Sequence, residues 1–268
     1  MKETVDILLF GGQSNMQGQT ECLPENNAPV EGAWEYRFLT DELAPLRHPV
    51  GEDIGDIPED LALKAAHEGH GSLIPDACRA YVAETGRRVV AVQVACGGTG
   101  IFCWQKGTER THRHEFTLRK IAAAVAHVKE IYDVGHIAML WLQGESDAIV
   151  RNTAEDYGAM LTTFKNALKE VAPIEVFGII KVGYFCRTVS WLRPQFDEES
   201  GRLADEAIMA SQEHLAETDP DFTILTRVCP DMSLDPKWLN PWAEGHFNNA
   251  AMTAIGTEAG QALARYFR

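Results

Sequence analysis

The stretch VDILLFGGQSNM, residues 5–16, joins a continuous apolar run to two glycines and then to a serine. A run that is apolar at nearly every position is typical of a strand buried on both faces of a parallel sheet. The glycines mark the end of that strand, and Ser14 stands where the next helix would begin. A serine at such a position commonly caps the helix, but its hydroxyl is also displayed at the end of a strand. Residues elsewhere in the chain decide between these two interpretations.

Four further apolar, β-rich runs follow, and segments with helical periodicity lie between them. Strands that alternate with helices in this way predict a parallel sheet with helices on both faces. We therefore expect an α/β protein, a three-layer α/β/α sandwich with a five-stranded parallel sheet, in a single domain over residues 1–268. The predicted strands are Val5 to Phe10, Arg88 to Ala95, His136 to Gln143, Glu175 to Val182 and Phe222 to Thr226.

Three irregular stretches, residues 20–71, 184–201 and 227–245, interrupt this alternation. In the first, we predict a hairpin that pairs Ala33 to Phe38 with Glu42 to Arg47. Long irregular loops in a compact α/β domain are usually functional, so we interpret all three as surroundings of one site. The second and third stretches contain Trp191, Trp238 and Trp242.

The composition narrows the classes of partner. The chain has 268 residues, 45% of them hydrophobic, with 24 basic and 39 acidic residues and a net charge of −15. Because no run of Lys or Arg is present, nucleic acid is not expected as a partner, and neutral small molecules or glycans are favoured as ligands. The apolar runs are too short to span a bilayer, so no membrane partner is expected. No feature of the sequence indicates an oligomeric state.

Localisation and cofactors follow from the start of the chain, the cysteines and the histidines. The chain enters its first apolar run at Val5, which leaves no room for a signal peptide and predicts a cytoplasmic protein. A secreted protein trimmed of its signal would have the same sequence. Six cysteines without CxxC spacing agree with free thiols in a reducing compartment. The strings HEGH (67–70) and HRHE (112–115) lack a second pair of ligands, so neither a metal nor another cofactor is predicted.

Polar segments lie where the carboxyl ends of the strands should meet, which is where open parallel sheets bind ligands. Each segment alone has an ordinary explanation as a helix cap, a glycine turn, an acidic helix start or a surface histidine. Together they supply a hydroxyl, an imidazole, carboxylates and amide donors, the groups that acyl transfer requires. We therefore predict a nucleophilic site made of GGQSNM (11–16), CGGTG (96–100), QGESD (143–147) and EGHFNN (244–249).

The strings GQSNM, GGTGI followed by Trp104, WLQGESD and HFN, in this order, resemble the SGNH/GDSL hydrolase superfamily. Within it they are most similar to the branch of sialate O-acetylesterase-like domains and the sixth carbohydrate esterase family, which includes acetylxylan esterases. The resemblance covers nearly the whole chain, and GQSNM together with QGESD is its specific part. It implies a flavodoxin-like fold and a serine esterase that removes O-acetyl groups from a small acetylated sugar or glycan through an acetyl-serine intermediate, without a metal.

The resemblance also implies roles for individual residues. Ser14 would be the nucleophile and His246 the general base. The oxyanion hole would consist of the backbone N–H of Ser14, the N–H of Gly98 in preference to Gly97, and the side-chain amide of Gln143. The remaining motif residues, which we expect to contact the substrate, are Gln13, Asn15 and Trp104.

One position departs from the superfamily pattern. An aspartate usually stands three residues before the histidine, and Ala243 occupies that position here. By resemblance, Glu145 is favoured as the acid that orients His246. Glu244, Asp235 or no acid at all are the alternatives. Without an orienting carboxylate, a serine–histidine pair is slower by about four orders of magnitude but still active.

Two other functions compete with this interpretation. The first is a GDSL-type lipase or thioesterase that acts on other acyl esters. The second is a catalytically weakened sugar-binding module, which the replacement at Ala243 would explain. Reactivity of Ser14 and the preferred length of the acyl chain distinguish these functions from an acetylesterase.

Overall fold

A single mixed sheet lies at the centre of the protein, whose computed structural model describes residues 2–52, 70–108 and 113–268. In these ranges the sheet has seven strands. In chain order they are β1 (Thr4–Gly12), β2 (Ala33–Arg37), β3 (Glu42–Pro45), β4 (Arg88–Gln93), β5 (Asp133–Leu142), β6 (Val176–Ile180) and β7 (Phe222–Thr226). Their order across the sheet is β3-β2-β4-β1-β5-β6-β7, and all neighbours are parallel except β2 and β3.

The predicted α/β class is confirmed, whereas the predicted number of five strands is wrong. The five predicted runs form β4-β1-β5-β6-β7, which is the flavodoxin-like order 2-1-3-4-5. The other two strands are the predicted hairpin, which joins the sheet because β2 pairs in parallel with β4 from Ala33 to Glu35. The sequence gives little sign of this pairing, since β2 is short and only partly apolar.

The sheet is covered by helices on both faces. Side chains of β1 alternate between two cores: Ile7 and Leu9 pack in one, and Leu8 and Phe10 pack in the other. The helices are α1 (Ser14–Gln17), α2 (Ile74–Thr85), α3 (Arg113–Ile131), α4 (Glu145–Ile149), α5 (Ala154–Val171), α6 (Glu198–Thr218), α7 (Val228–Met232) and α8 (Asn249–Tyr266). The first core contains apolar residues of α3, α5 and α6, and the second contains those of α2, α7 and α8.

Two short helices begin where central strands end. β1 is followed directly by α1, and β5 is followed by α4, so the residues of both helix starts lie at the same edge of the sheet. A 3₁₀ turn over Ile101–Trp104 follows β4 at this edge, where Ile101 bonds to Asp147 of α4. α8 begins just after Phe247, whose N–H bonds to Asn15 of α1. None of the helices in the described ranges is long and apolar enough to cross a bilayer.

Candidate active site

Ser14 is placed by a glycine that the close packing of β1 and β5 requires. Gly12 has φ = +138°, and a Cβ on it would lie 2.0 Å from the carbonyl oxygen of Leu142, so no other residue fits. Gln13 then donates its N–H to the same carbonyl over 3.1 Å, which turns the chain into α1. As the first residue of α1, Ser14 has no carbonyl one turn earlier in the helix to accept its own N–H.

The structure brings Ser14 and His246 together. The Oγ of Ser14 lies 2.9 Å from Nε2 of His246, although 232 residues separate them in the sequence. The other ring nitrogen, Nδ1, lies 3.1 Å from the backbone carbonyl oxygen of Glu244. Because a carbonyl oxygen only accepts hydrogen bonds, Nδ1 carries the hydrogen and Nε2 is free to accept a proton from the serine.

The environment of His246 favours the neutral imidazole. Burial lowers the pKa of His246 below its ordinary value of 6.5, because removal from water disfavours the charged form. Hydrogen bonds to the backbone at Glu244 and Ala243 oppose this shift without cancelling it. The ring of Phe185 also packs edge-on against the imidazole, with 6.2 Å between the ring centroids. His246 is therefore ready to act as a base at neutral pH.

Two of the three carboxylates considered for orienting His246 bond to other groups. Glu244 accepts hydrogen bonds from the N–H and the hydroxyl of Ser190, at 2.8 and 2.7 Å. Asp235 caps a 3₁₀ turn by accepting the N–H of Lys237 and also forms an ion pair with its ammonium group. Among the hydrogen bonds of the described residues, the one at Nδ1 of His246 is donated to the main-chain carbonyl of Glu244, not to an acid.

The third carboxylate, Glu145, is the orienting acid that the resemblance favours, and in the structure Asn15 lies between it and the loop of His246. Glu145 bonds to Asn15: its Oε1 accepts a hydrogen bond of 2.8 Å from the side-chain amide. Glu145 is only 3% exposed, and burial raises the pKa of its carboxyl group above the ordinary value. Any effect of Glu145 on the imidazole would therefore be indirect.

The glycine loop after β4 lies beside Ser14. A Cβ on Gly97 would lie 3.5 Å from the Cβ of Ser14, which shows how closely this loop approaches the serine. The N–H of Gly97 donates to Oε1 of Gln17 over 2.8 Å and is already engaged. Gly98 follows with φ = +71°, and apart from its two chain neighbours no atom of the described residues lies within 4 Å of where its Cβ would be. Of the two glycines, Gly98 is thus the better candidate to donate to an oxyanion.

The side-chain amide of Gln143 is engaged within the protein. Its Nε2 donates to the carbonyl of Thr99 over 3.1 Å and to the carboxylate of Asp147. An amide nitrogen has two hydrogens, so Gln143 would have to exchange one of these bonds to donate to an oxyanion. Its place in the oxyanion hole stays a prediction.

Asp147 lies in the predicted site segment QGESD, but no role for it follows from the sequence. Its two oxygens accept the backbone N–H of Ile101 at 2.9 and 3.2 Å, and Oδ1 also accepts from Asn152 over 2.6 Å. The side chain is completely buried, and burial raises the pKa of its carboxyl group. In the motif QGESD it was indistinguishable from an acidic residue at an ordinary helix start. In the structure it fixes the end of the glycine loop.

The three residues expected to contact substrate are buried, and Trp104 is the most completely buried of them. Its ring has no exposed surface and packs edge-on against Trp141, with centroids 5.2 Å apart. Gln13 and Asn15 are 3% and 2% exposed, and both bond to protein groups. The motifs identify these positions but not the direction of the side chains, which tertiary packing determines.

Two tryptophans on neighbouring loops are exposed instead. Trp191 is 58% exposed and Trp242 is 83% exposed. Trp191 packs edge-on against Phe185, the residue that also contacts His246. The bonds between Glu244 and Ser190 join the two loops that carry these tryptophans.

The described ranges contain no group of three or more His, Cys, Asp or Glu side chains that could hold a metal ion. His67 and His112, from the two histidine strings, lie outside the described residues. The residues that meet at the sheet edge can transfer an acyl group by means of a hydroxyl, an imidazole and backbone N–H donors.

A serine hydroxyl and an imidazole 2.9 Å apart, at the carboxyl edge of a mostly parallel sheet, are the groups that a carboxylic ester hydrolase requires. Residues 4–201 match the family model described as carbohydrate esterase, sialic acid-specific acetylesterase, and the chain belongs to this family. The predicted class, a carbohydrate O-acetylesterase, is thereby confirmed at the level of the family.

Individual relatives agree with this assignment. "Probable carbohydrate esterase At4g34215" of Arabidopsis thaliana is 25% identical over 190 residues, which are 66% of this chain and 67% of the relative. The solved structure of the Arabidopsis thaliana protein AT4G34215 superposes with a TM-score of 0.70 at 19% identity and covers 98% of this chain and 99% of its own. The structure of NanS gives a TM-score of 0.65 at 16% identity, with 99% and 98% covered. At these identities the structural likeness shows the fold.

Proposed function

We propose that Ser14 and His246 carry out the hydrolysis, and that the ester cleaved is the O-acetyl group of a small sugar or glycan. The observation that supports these roles is the distance of 2.9 Å between Oγ of Ser14 and Nε2 of His246, at the carboxyl edge of the sheet. The carbonyl at Nδ1 holds the tautomer in which Nε2 accepts the proton.

The first half of the reaction forms an acetyl-serine. The Oγ of Ser14 attacks the acetyl carbonyl carbon while Nε2 of His246 takes the hydroxyl proton. The negative charge that develops on the carbonyl oxygen is stabilised by the N–H groups of Ser14 and Gly98, each donor lowering the barrier by about 3 kcal/mol. The intermediate then collapses, the bond to the sugar oxygen breaks, and that oxygen leaves with the proton from Nε2.

The second half of the reaction releases acetate. A water molecule gives a proton to Nε2 of His246, and its oxygen attacks the acetyl carbon of the acyl-enzyme. The same N–H donors stabilise the second oxyanion. When the bond to Oγ breaks, Ser14 regains its proton from His246 and the free enzyme is restored.

The charge of the chain and two exposed aromatic rings near the pair support a small sugar or glycan, and not a polyanion, as the substrate. The net charge of −15 disfavours polyanions. Trp191 and Trp242 present exposed rings on the two loops next to His246, where an indole can cover the apolar face of a sugar ring. In this proposal they replace the buried Trp104 as the aromatic contacts of the substrate.

The proposal is tested by acetate release from p-nitrophenyl acetate, acetylated xylo-oligosaccharides and O-acetylated sialic acid. Wild type is compared with Ser14→Ala and His246→Ala, each of which should lose about 10³-fold or more of kcat. A series of esters from acetate to octanoate should show the rate falling steeply by butyrate, and a fluorophosphonate should label Ser14. Equal rates in wild type and both variants would refute the mechanism. A preference for octanoate would instead identify a lipase.

A further inference from the structure

Asn15 holds the main chain on both sides of His246. Its Nδ2 donates to the carbonyl oxygen of Gly245 over 3.2 Å, and its Oδ1 accepts the N–H of Phe247 over 3.2 Å. The two peptide groups flank the histidine directly, so these bonds fix the backbone from which the imidazole projects. Asn15 is only 2% exposed, which keeps water from competing for the same groups.

Glu145 holds Asn15 in turn. The second hydrogen of the Asn15 amide is donated to Oε1 of Glu145 over 2.8 Å. The amide therefore makes three hydrogen bonds, two to the loop and one to the carboxyl group, and both of its hydrogens are used. Because an amide with fixed partners cannot rotate, the carboxyl group of Glu145 sets the orientation of Asn15.

The position of Asn15 next to Ser14 connects the serine to the loop of His246. It follows Ser14 in α1, so one short helix carries the nucleophile and also the residue that holds the loop of the base. Glu145 begins α4 at the end of the neighbouring strand β5, which gives the arrangement a rigid support. The separation of Oγ from Nε2 is thus set by two hydrogen bonds from the residue next to the serine.

We infer that Asn15 and Glu145 are positioning residues that hold His246 within reach of Ser14 through the main chain, in place of an acid that contacts the imidazole. The inference rests on the proposed roles of Ser14 and His246. It accounts for activity in a chain that has Ala243 where the superfamily has its aspartate. It also assigns a function to Glu145 that does not require contact with the base.

Hydrogen bonding, not charge, carries this effect of Glu145. Within the described part of the chain its Oε2 is buried without a hydrogen-bond partner, so the group offers Asn15 a single acceptor oxygen. A glutamine at this position retains such an oxygen and the same length. Glu145→Gln should therefore preserve the position of Asn15, whereas Glu145→Ala should release it.

The experiment measures kcat and KM for p-nitrophenyl acetate in four variants, together with the rate at which a fluorophosphonate labels Ser14. Asn15→Ala and Asn15→Asp both remove the donor and should lower kcat by about 100-fold with little change in KM, because the base is displaced. Glu145→Ala should lower kcat by about tenfold, and Glu145→Gln should stay within about threefold of wild type. Labelling rates should follow kcat.

Asp6→Asn is the matched control. Asp6 is as buried as Glu145 and bonds to Arg87 and Tyr81, but it lies near the start of β1, at the opposite edge of the sheet. This variant should lower Tm and leave kcat unchanged. The inference is overturned if folded Asn15→Ala and Asn15→Asp keep the kcat of wild type, or if Asp6→Asn loses as much kcat as the Asn15 variants do. In both cases Ser14→Ala would still be inactive, and the proposed mechanism would stand. If Ser14→Ala is active, the proposed mechanism itself fails, and the positioning role with it.

Discussion

The Nδ1 of His246 lies 3.1 Å from the backbone carbonyl oxygen of Glu244, while the carboxylate of that glutamate bonds to Ser190. The main chain of residue 244 thus orients the imidazole, and its side chain joins two loops. A carbonyl dipole carries less charge than a carboxylate, so it stabilises the imidazolium less than the aspartate of a full triad does. It cannot be removed by a change of side chain, however, and it does not titrate.

Substitution of Glu244 should therefore have a small effect on catalysis. In Glu244→Ala the carbonyl stays, and only the bonds to Ser190 are lost. We expect kcat to fall by less than about tenfold, against about 10⁴-fold for loss of a triad acid. Steady-state kinetics with p-nitrophenyl acetate measure this, with Asp235→Ala as a control that should retain full activity. A loss of several thousandfold in Glu244→Ala would mean that its carboxylate orients His246.

The pH dependence should report a base with a lowered pKa. Burial holds the pKa of His246 below 6.5, and the base must be neutral, so activity is lost as pH falls through this pKa. The midpoint of the acid limb of kcat/KM should lie below 6.5. Burial also raises the pKa of Glu145, so this carboxyl group could titrate in the same range. If the acid limb of kcat/KM is unchanged in Glu145→Gln, the titrating group is His246. A midpoint at or above 6.5 in wild type would contradict this prediction.

The meeting of Ser14 and His246 at one edge of the sheet could be predicted from the sequence because both segments follow from local signals, whereas their roles follow from the resemblance. The apolar run of β1 and its glycine end fix where Ser14 lies, and the start of α8 fixes where His246 lies. Parallel strands with helices on both faces bring such segments to one edge. The order of the five central strands follows from the same alternation of strands and helices.

The directions of single side chains could not be predicted in this way. Trp104 turns into the core because Trp141, on another strand, offers it a packing partner, and no local pattern specifies that contact. Glu145 reaches Asn15 instead of His246 for a similar reason, since the geometry of two separate helix starts decides it. Strand β2 of the hairpin pairs with β4, whose residues lie some 55 positions later in the chain. No local pattern therefore predicts that the hairpin extends the sheet.

Asp147 should be required for full stabilisation of the oxyanion. Its carboxylate holds Ile101 and the amide of Gln143, which keeps the loop of Gly98 in place. In Asp147→Asn, an NH₂ group replaces one of the carboxylate oxygens that accept hydrogen bonds, and it then faces other N–H donors. The loop of Gly98 should therefore shift. We expect kcat to fall by about 100-fold, the effect of losing one oxyanion donor. Kinetics of the folded variant test this beside Asp6→Asn, and a kcat equal to wild type would show that the loop holds without Asp147.

The exposed tryptophans should affect sugar esters alone. Trp191→Ala and Trp242→Ala remove rings that are 58% and 83% exposed, so the fold should be retained. If each ring covers a sugar, kcat/KM for acetylated xylo-oligosaccharides should fall by about tenfold, which corresponds to about 1.4 kcal/mol of lost contact. The rate with p-nitrophenyl acetate should not change, because its small acyl and leaving groups need only the residues at Ser14.

Tyr266→Ala provides the control for this comparison. Tyr266 is an aromatic residue that is 48% exposed at the far end of α8, away from His246. It should leave the rates with both substrates unchanged. If either tryptophan variant lowers the rates with p-nitrophenyl acetate and with the oligosaccharide equally, its ring supports the loop beside His246 and does not bind sugar. A loss confined to the oligosaccharide assigns the two loops to the recognition of the substrate.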